Sequence, residues 1–182
     1  MLAPSNRGLP AVVIRPGQIF GAGAERVPPN GVIALGGRWI LVGDGKLSLP
    51  LVYLYDVIDA LLLAGSAERA VGGTFNIVDP QLVTQTQYLD ACRRKLGPSL
   101  KLLRMPRWMI MCIATGVEVL AKLLRRDLPL SRYRVRSLRP LANFDGTAAS
   151  SVLAWKPRAG AIEGMRRTFD TAAQPTLPPT TP

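Results

Sequence analysis

The chain has 182 residues, 48% of them apolar and 6% aromatic, and a formal net charge of +11. That length is enough for one core of ordinary size, and the apolar content excludes an intrinsically disordered chain. There is no histidine and there are only two cysteines, which excludes imidazole catalysis and the usual zinc-ligand sets, so no metal site is expected.

The charge is local. Residues 93–139 carry thirteen Lys/Arg against two acidic residues, Glu118 and Asp127, while the rest of the chain is neutral. A partner drawn by charge therefore meets that segment. Residues 1–8 (MLAPSNRG) are too short and polar for a signal peptide, and no run approaches the roughly 20 apolar residues of a membrane span. A cytoplasmic protein is expected.

In chain order, Ala11–Arg15 is a β-branched apolar run closed by Pro16-Gly17. It predicts a strand buried on both faces of a parallel sheet. Residues 18–24 read as loop. Residues 32–41 read as a short helix passing into a strand, Gly43–Lys46 as a tight turn and 47–54 as extended chain. Asp56 is placed as the cap of a helix over 57–68, whose apolar face is Val57, Ala60, Leu61 and Ala64. Residues 74–78 form a strand turned by Asp79-Pro80. Thr84 and Gln87 have capping-box spacing for a helix over 85–96, stopped by Gly97-Pro98. A short strand at 100–103 precedes Pro106 and a long helix over 107–126. Residues 150–153 and 161–169 read as helices. Cys92 and Cys112 both read as buried thiols. The last twelve residues, with four prolines, read as a disordered tail, giving one partial domain over 1–170 and a tail over 171–182.

Helices alternating with strands give an α/β class. Yet no glycine-rich phosphate loop follows a strand, and no acidic residue waits about twenty positions beyond one. Four segments in order resemble the C-terminal half of an extended short-chain dehydrogenase, the NAD-dependent epimerase/dehydratase group. They are LPAVVIRPGQIFGAGA (9–24), LVYLYDVIDA (51–60), GGTFNIVDPQLVTQTQYLDACRRKL (72–96) and residues 145–168 with SVLAWKPRAGAIEGMRRT. The long helix followed by LPLSRYRVRSL is similar to the sterol-dehydrogenase-like branch.

That resemblance implies the substrate lobe and last sheet strands of a Rossmann-like fold, with the first cofactor-binding half absent. It implies NAD or NADP in intact relatives and a sugar-nucleotide or sterol-like substrate. Pro16, Gly17, Gln18 and Ile19 would border the nicotinamide, although a plain strand-ending turn explains the same residues. Arg38 and Lys46 would face a diphosphate or carboxylate, or lie on an ordinary surface. Tyr53 stands where the family commonly has His, which weakens its assignment to substrate. Asp56, Trp155 and Pro157 are expected to be structural, with Trp155 packing the small lobe. Catalytic residues are expected to be none. The family's Tyr-x-x-x-Lys pair is missing, because the residues four beyond Tyr53, Tyr55, Tyr88 and Tyr133 are Val57, Asp59, Cys92 and Ser137.

The leading expectation is a fragment of an NAD(P)-dependent oxidoreductase or epimerase whose own binding of cofactor is doubtful. Two alternatives stand beside it. One is a non-catalytic binding or assembly module that pairs with a separately encoded cofactor half. The other is a basic peripheral-membrane module built on Trp108, Met109, Ile110, Met111 and Ile113 beside Arg104, Arg107, Lys122, Arg125 and Arg126. A nucleic-acid partner is not expected, since the basic segment lacks interleaved aromatics and any known module.

Overall fold

The computed structural model describes residues 10–124 and 144–170. The proposed tail at 171–182 and the segment LPLSRYRVRSL lie outside the described residues. In chain order the elements are β1 (Val13–Pro16), β2 (Gln18–Phe20), β3 (Val32–Leu35), β4 (Arg38–Val42), β5 (Ser48–Leu49) and β6 (Leu51–Tyr53), then helix α1 (Leu54–Ser66). They continue with β7 (Thr74–Ile77), β8 (Val83–Thr84), α2 (Gln85–Leu96), β9 (Lys101–Met105), α3 (Arg107–Leu124), α4 (Thr147–Val152) and α5 (Gly160–Phe169). The chain folds as two compact units. One is built from residues 10–26, 50–82 and 144–170, the other from 27–49 and 83–124 among the described residues.

In the first unit β1 pairs in parallel with β7, in the register Val13↔Thr74 to Pro16↔Ile77, and β2 pairs in parallel with β6. The exchange of partners happens at Gly17, whose N–H reaches the Ile77 carbonyl while the Gln18 N–H reaches the Pro50 carbonyl. A Cβ at Gly17 would run into the Pro50 carbonyl oxygen and lie 3.1 Å from the Val78 side chain. Only glycine lets the two backbones approach this closely. The core of this unit gathers Val52, Val57, Ala60, Phe75, Ile77, Leu153 and Trp155. Ala154 sits at φ +54°, left-handed for a residue with a Cβ. The turn it makes delivers Trp155 into that core, which offsets a backbone cost of roughly 1–2 kcal/mol.

In the second unit β3 and β4 form an antiparallel hairpin, and β9 joins β4 in parallel. Gly36 and Gly37, at φ +57° and +71°, make the two-residue turn, the pair of positive φ values that suits the twist of a hairpin. Helix α3 lays Ile110 and Ala114 on Ile33, Ile40, Val42 and Met105. Helix α2 begins with the capping box as read: Gln87 N–H donates to Thr84 Oγ1 at 3.3 Å, and Thr84 N–H to Gln87 Oε1 at 2.8 Å. Gly97 ends it at φ +58°.

Several expectations are corrected. The opening strand is not buried on both faces, because Val13, Arg15 and Pro16 stay exposed. Residues 18–20 are strand rather than loop, and residues 32–35 are strand rather than helix. Helix α1 starts two residues before Asp56, with Tyr53 at its N-cap position. Cys92 is buried as expected, but Cys112 is exposed on α3.

Gly17→Ala is expected to destabilise the chain by about 1–3 kcal/mol, since the backbone contact cannot be relieved by a rotamer. Gly65→Ala, in open space within α1, should be stabilising by up to about 1 kcal/mol through helix propensity. Denaturant unfolding of the two variants checks both signs.

Candidate functional site

The four residues Pro16–Ile19 straddle the point where the first unit's strand changes partner. Pro16 and Ile19 are exposed, while Gly17 and Gln18 are half-buried. The N–H groups of Gly17 and Gln18 are already donated to the sheet, so neither is spare for a phosphate. The space beside Gly17 is filled by Pro50 and Val78 rather than left open to a ligand. This strand end therefore offers apolar surface to a ring and no anion cradle. A pyrophosphate is held by unpaired N–H groups at a helix start, and the Gly17 and Gln18 N–H groups are not of that kind.

Behind the strand end, one carboxylate organises the unit. Asp56 is almost fully buried. Its Oδ1 accepts the N–H groups of Arg158 and Ala159 at 2.8 and 3.1 Å, and its Oδ2 accepts that of Gly160 at 3.0 Å. These are the donors left over at the start of α5, which a residue on another helix caps. The Trp155 indole N–H adds a 2.9 Å bond to the Asp56 backbone carbonyl. Asp56 was expected to cap its own helix and fix the loop. The structure assigns the cap to α5 instead, because Asp56 already lies inside α1. Pro157 stands between Trp155 and the clamped residues, half-buried.

A second buried carboxylate, missed in the sequence except as a turn residue, faces the same helix start. Asp79 Oδ1 accepts the Gln81 N–H at 2.7 Å, and Oδ2, beside Gly160, has no hydrogen-bond partner. Burial raises the Asp79 pKa above the ordinary carboxylate value. The Gln81 and Ala161 N–H groups oppose that rise, and the nearby Asp56 charge adds to it. On the exposed side of α5, Arg166 and Arg167 hold Glu163 at a pKa of about 2 through charge-assisted hydrogen bonds.

Tyr53, expected to contact substrate, is buried here. Its ring lies 5.6 Å from Phe20 and 5.5 Å from Tyr55, and a Cβ at Gly164 would fall 2.7 Å from it. Helix α5 can approach that ring only because residue 164 is glycine. Burial raises the phenol pKa.

Arg38 and Lys46 belong to the second unit, both exposed. Arg38 follows the Gly-Gly turn of the hairpin. Lys46 lies in the loop 43–46, where its N–H donates to Asp44 Oδ1 at 3.1 Å. The loop is fastened to the start of α2, since the Thr86 N–H and hydroxyl both donate to the Gly45 carbonyl at 3.1 Å. A Cβ at Gly45 would run into that hydroxyl. Nothing in the sequence marks Thr86 beyond its place in the first turn of α2.

No family model matches the chain. In sequence it is similar to 3beta-hydroxysteroid-dehydrogenase/decarboxylase isoform 2 of Arabidopsis thaliana, 29% identical over 94% of this chain and 33% of that protein. It is also similar to the decarboxylating sterol-4-alpha-carboxylate 3-dehydrogenase of Schizosaccharomyces pombe, 26% identical over 93% of this chain and 52% of that protein. In fold it resembles the UDP-glucuronic acid 4-epimerase of Bacillus cereus solved with UDP-glucuronic acid and NAD, with a TM-score of 0.56 and 16% identity over 91% of this chain and 46% of that one. The chain thus spans about a third to a half of the curated relatives it matches. The resemblance to the extended short-chain dehydrogenases, the sterol-dehydrogenase branch included, extends over nearly its whole length. Its α/β elements correspond to the C-terminal part of the Rossmann-like epimerase architecture.

Asp56→Ala is expected to cost about 2–4 kcal/mol in denaturant unfolding, because three N–H groups lose a charged acceptor at once. Asp56→Asn, which keeps one acceptor, should cost less. For Asp79 the folded pKa is raised, so its stabilising contribution is complete below the unfolded value of about 3.9 and declines as pH rises through the folded one. Asp79→Asn should therefore gain stability relative to wild type between acid and neutral pH; a pH-independent difference in Tm contradicts this. Glu163 has the opposite sign. Its contribution is present above its unfolded pKa and is lost as pH falls toward 2, and at this exposed position it is small.

Proposed function

We propose that this chain is the substrate-side part of an NAD(P)-dependent oxidoreductase or epimerase of the extended short-chain dehydrogenase type. Its substrate is a sterol-like or sugar-nucleotide small molecule, with the sequence relatives favouring the sterol-like class. Pro16, Gly17, Gln18 and Ile19 border the nicotinamide. Arg38 and Lys46 supply positive charge to an anionic group of the substrate. The chain contributes no catalytic residue. Hydride transfer needs a ring held against the substrate and a proton donor beside it. The acid/base Tyr-Lys pair and the phosphate loop come from a cofactor-binding α/β body, part of the same polypeptide or separately encoded.

The observation that carries this reading is the surface at the edge of β1 that no strand pairs among the described residues. Val13 is exposed there. Beside it lies a groove of about 490 Å³ lined by Pro10, Val12, Ile14, Leu61, Ala67 and Val71. Tyr55, Ile58, Leu61 and Leu62 of α1 are also exposed. An unpaired parallel edge beside apolar helix surface is what a further βα layer covers. Asp56, Trp155 and Pro157 keep a structural role in this reading, holding α5 behind the strand end.

The 182-residue chain by itself is expected to bind NAD weakly or not at all, because its strand end has no group for the pyrophosphate. Calorimetric titration with NAD checks this. Saturable binding near micromolar affinity would show that the cofactor site is complete without a further body.

A further inference from the structure

Among the described residues, one buried side-chain oxygen has no hydrogen-bond partner: Oδ2 of Asp79. The residue is only 4% exposed. The turn after β7 fixes it from both ends, since its N–H donates to the Leu51 carbonyl at 2.9 Å and its Oδ1 accepts the Gln81 N–H at 2.7 Å. Leaving an ionised oxygen buried without a donor is costly.

That oxygen faces a second acceptor. A Cβ on Gly160 would stand 3.2 Å from Asp79 Oδ2 and 3.0 Å from Gln81 Oε1, so the two oxygens converge on one spot at the start of α5. The Gly160 N–H serves neither, because it donates to Asp56 Oδ2 at 3.0 Å. Gln81 Oε1 in turn accepts the Ile162 N–H at 3.4 Å. An amide nitrogen cannot accept a hydrogen bond, so this contact sets which end of the Gln81 amide faces α5. Two acceptors meet, and a single proton between them resolves the conflict.

Among the described residues no cation compensates instead. From α1 the facing group is Asp56, whose two oxygens both act as acceptors. Arg158 pairs with Asp59 at 3.0 Å, and on α5 Arg166 and Arg167 pair with Glu163. From β6 comes the Leu51 carbonyl. The N–H groups of Gln81 and Ala161 favour the ionised acid, but burial outweighs them and the Asp56 charge adds to its effect.

We propose that Asp79 carries a proton on Oδ2 in the folded chain and donates a hydrogen bond through it to Gln81 Oε1, so that an acid–amide clasp ties the turn after β7 to the start of α5 and opens when Asp79 ionises. The clasp is distinct from the Asp56 cap. It reaches Ile162 through Gln81, whereas Asp56 holds residues 158–160. It is also independent of the cofactor reading, since it uses none of the residues assigned to cofactor or substrate. The folded pKa lies above the unfolded value of about 3.9, so the contribution of the clasp is complete below that pH and is lost as pH rises through the folded value.

Carboxyl-carbon NMR of the full chain over about pH 3 to 8 reads the Asp79 titration directly. A midpoint above the ordinary carboxylate range is expected, and Gln81→Met should lower it by removing the acceptor of the proton. Residue 81 is exposed, so this variant keeps the fold. If the amide instead presented its NH₂ to an ionised Asp79, the same substitution would raise the midpoint, and that opposite shift overturns the proposal. An ordinary midpoint in the wild type overturns it as well, without need of any variant. Asp79→Asn places an NH₂ donor where the acid proton stood. Amide exchange at Ile162, corrected for its intrinsic pH dependence, should rise by about threefold or more from pH 4 to 7 in the wild type and stay level in Asp79→Asn. Equal profiles in the two chains contradict the clasp.

Discussion

The first unit depends on one buried carboxylate. Asp56 sits in the first turn of α1, and its two oxygens take three N–H groups from residues 158–160, about a hundred positions later in the chain. Those N–H groups would otherwise be orphan donors at the start of α5. Buried without an acceptor, each would cost on the order of 1–3 kcal/mol. The same residue's carbonyl takes the Trp155 indole, so the turn through Ala154, strained in its backbone, is held from two sides. Without Asp56, α5 has no fixed start, and the ring of Tyr53 loses the helix that covers it.

Close approach is the second constraint. Gly17 and Gly164 are each surrounded so tightly that a Cβ would collide, with the Pro50 carbonyl in one case and the Tyr53 ring in the other. The first lets one extended stretch pair with β7 and then with β6. The second seats α5 on the residues that follow. Together they place Pro16 and Ile19 at an exposed strand end over a packed interior. Gly17 is thus needed by the protein's own backbone, while Pro16 and Ile19 remain exposed.

What was legible in the sequence followed local chemistry. The capping box at Thr84–Gln87, the stop at Gly97 and the burial of Val57, Ala60 and Ala64 depend on neighbours within a few residues and are found where expected, whereas Leu61, placed on the same apolar face, is exposed. The hairpin over 32–42 has a Gly-Gly turn suited to it, but its first strand is only four residues long, too short a run for periodicity to tell strand from helix. Residues 18–20 were taken for loop since their partner, β6, is some thirty residues away. Asp56 shows the limit most clearly. An acidic residue near a helix start has an obvious local use, and only the fold reveals that the donors it satisfies are on α5. Asp79 was equally hidden, as its environment is set by the same distant helix. For the site, the assignment of Pro16–Ile19 rests on family resemblance alone, and the burial of Tyr53 was not legible, since a tyrosine next to a helix start carries no local sign of which way it is packed.

Among the described residues β1 pairs on one edge only, and its other edge is the one a further α/β layer would cover. Along β1 the N–H groups of Val13 and Gly17 point to β7, and by the alternation of a strand the Ile14 N–H points away. Residue-resolved hydrogen exchange of the chain reads this directly. Fast exchange is expected at Ile14 beside slow exchange at Gly17. Equal protection at the two amides would mean that the edge is already covered and that no further layer pairs there.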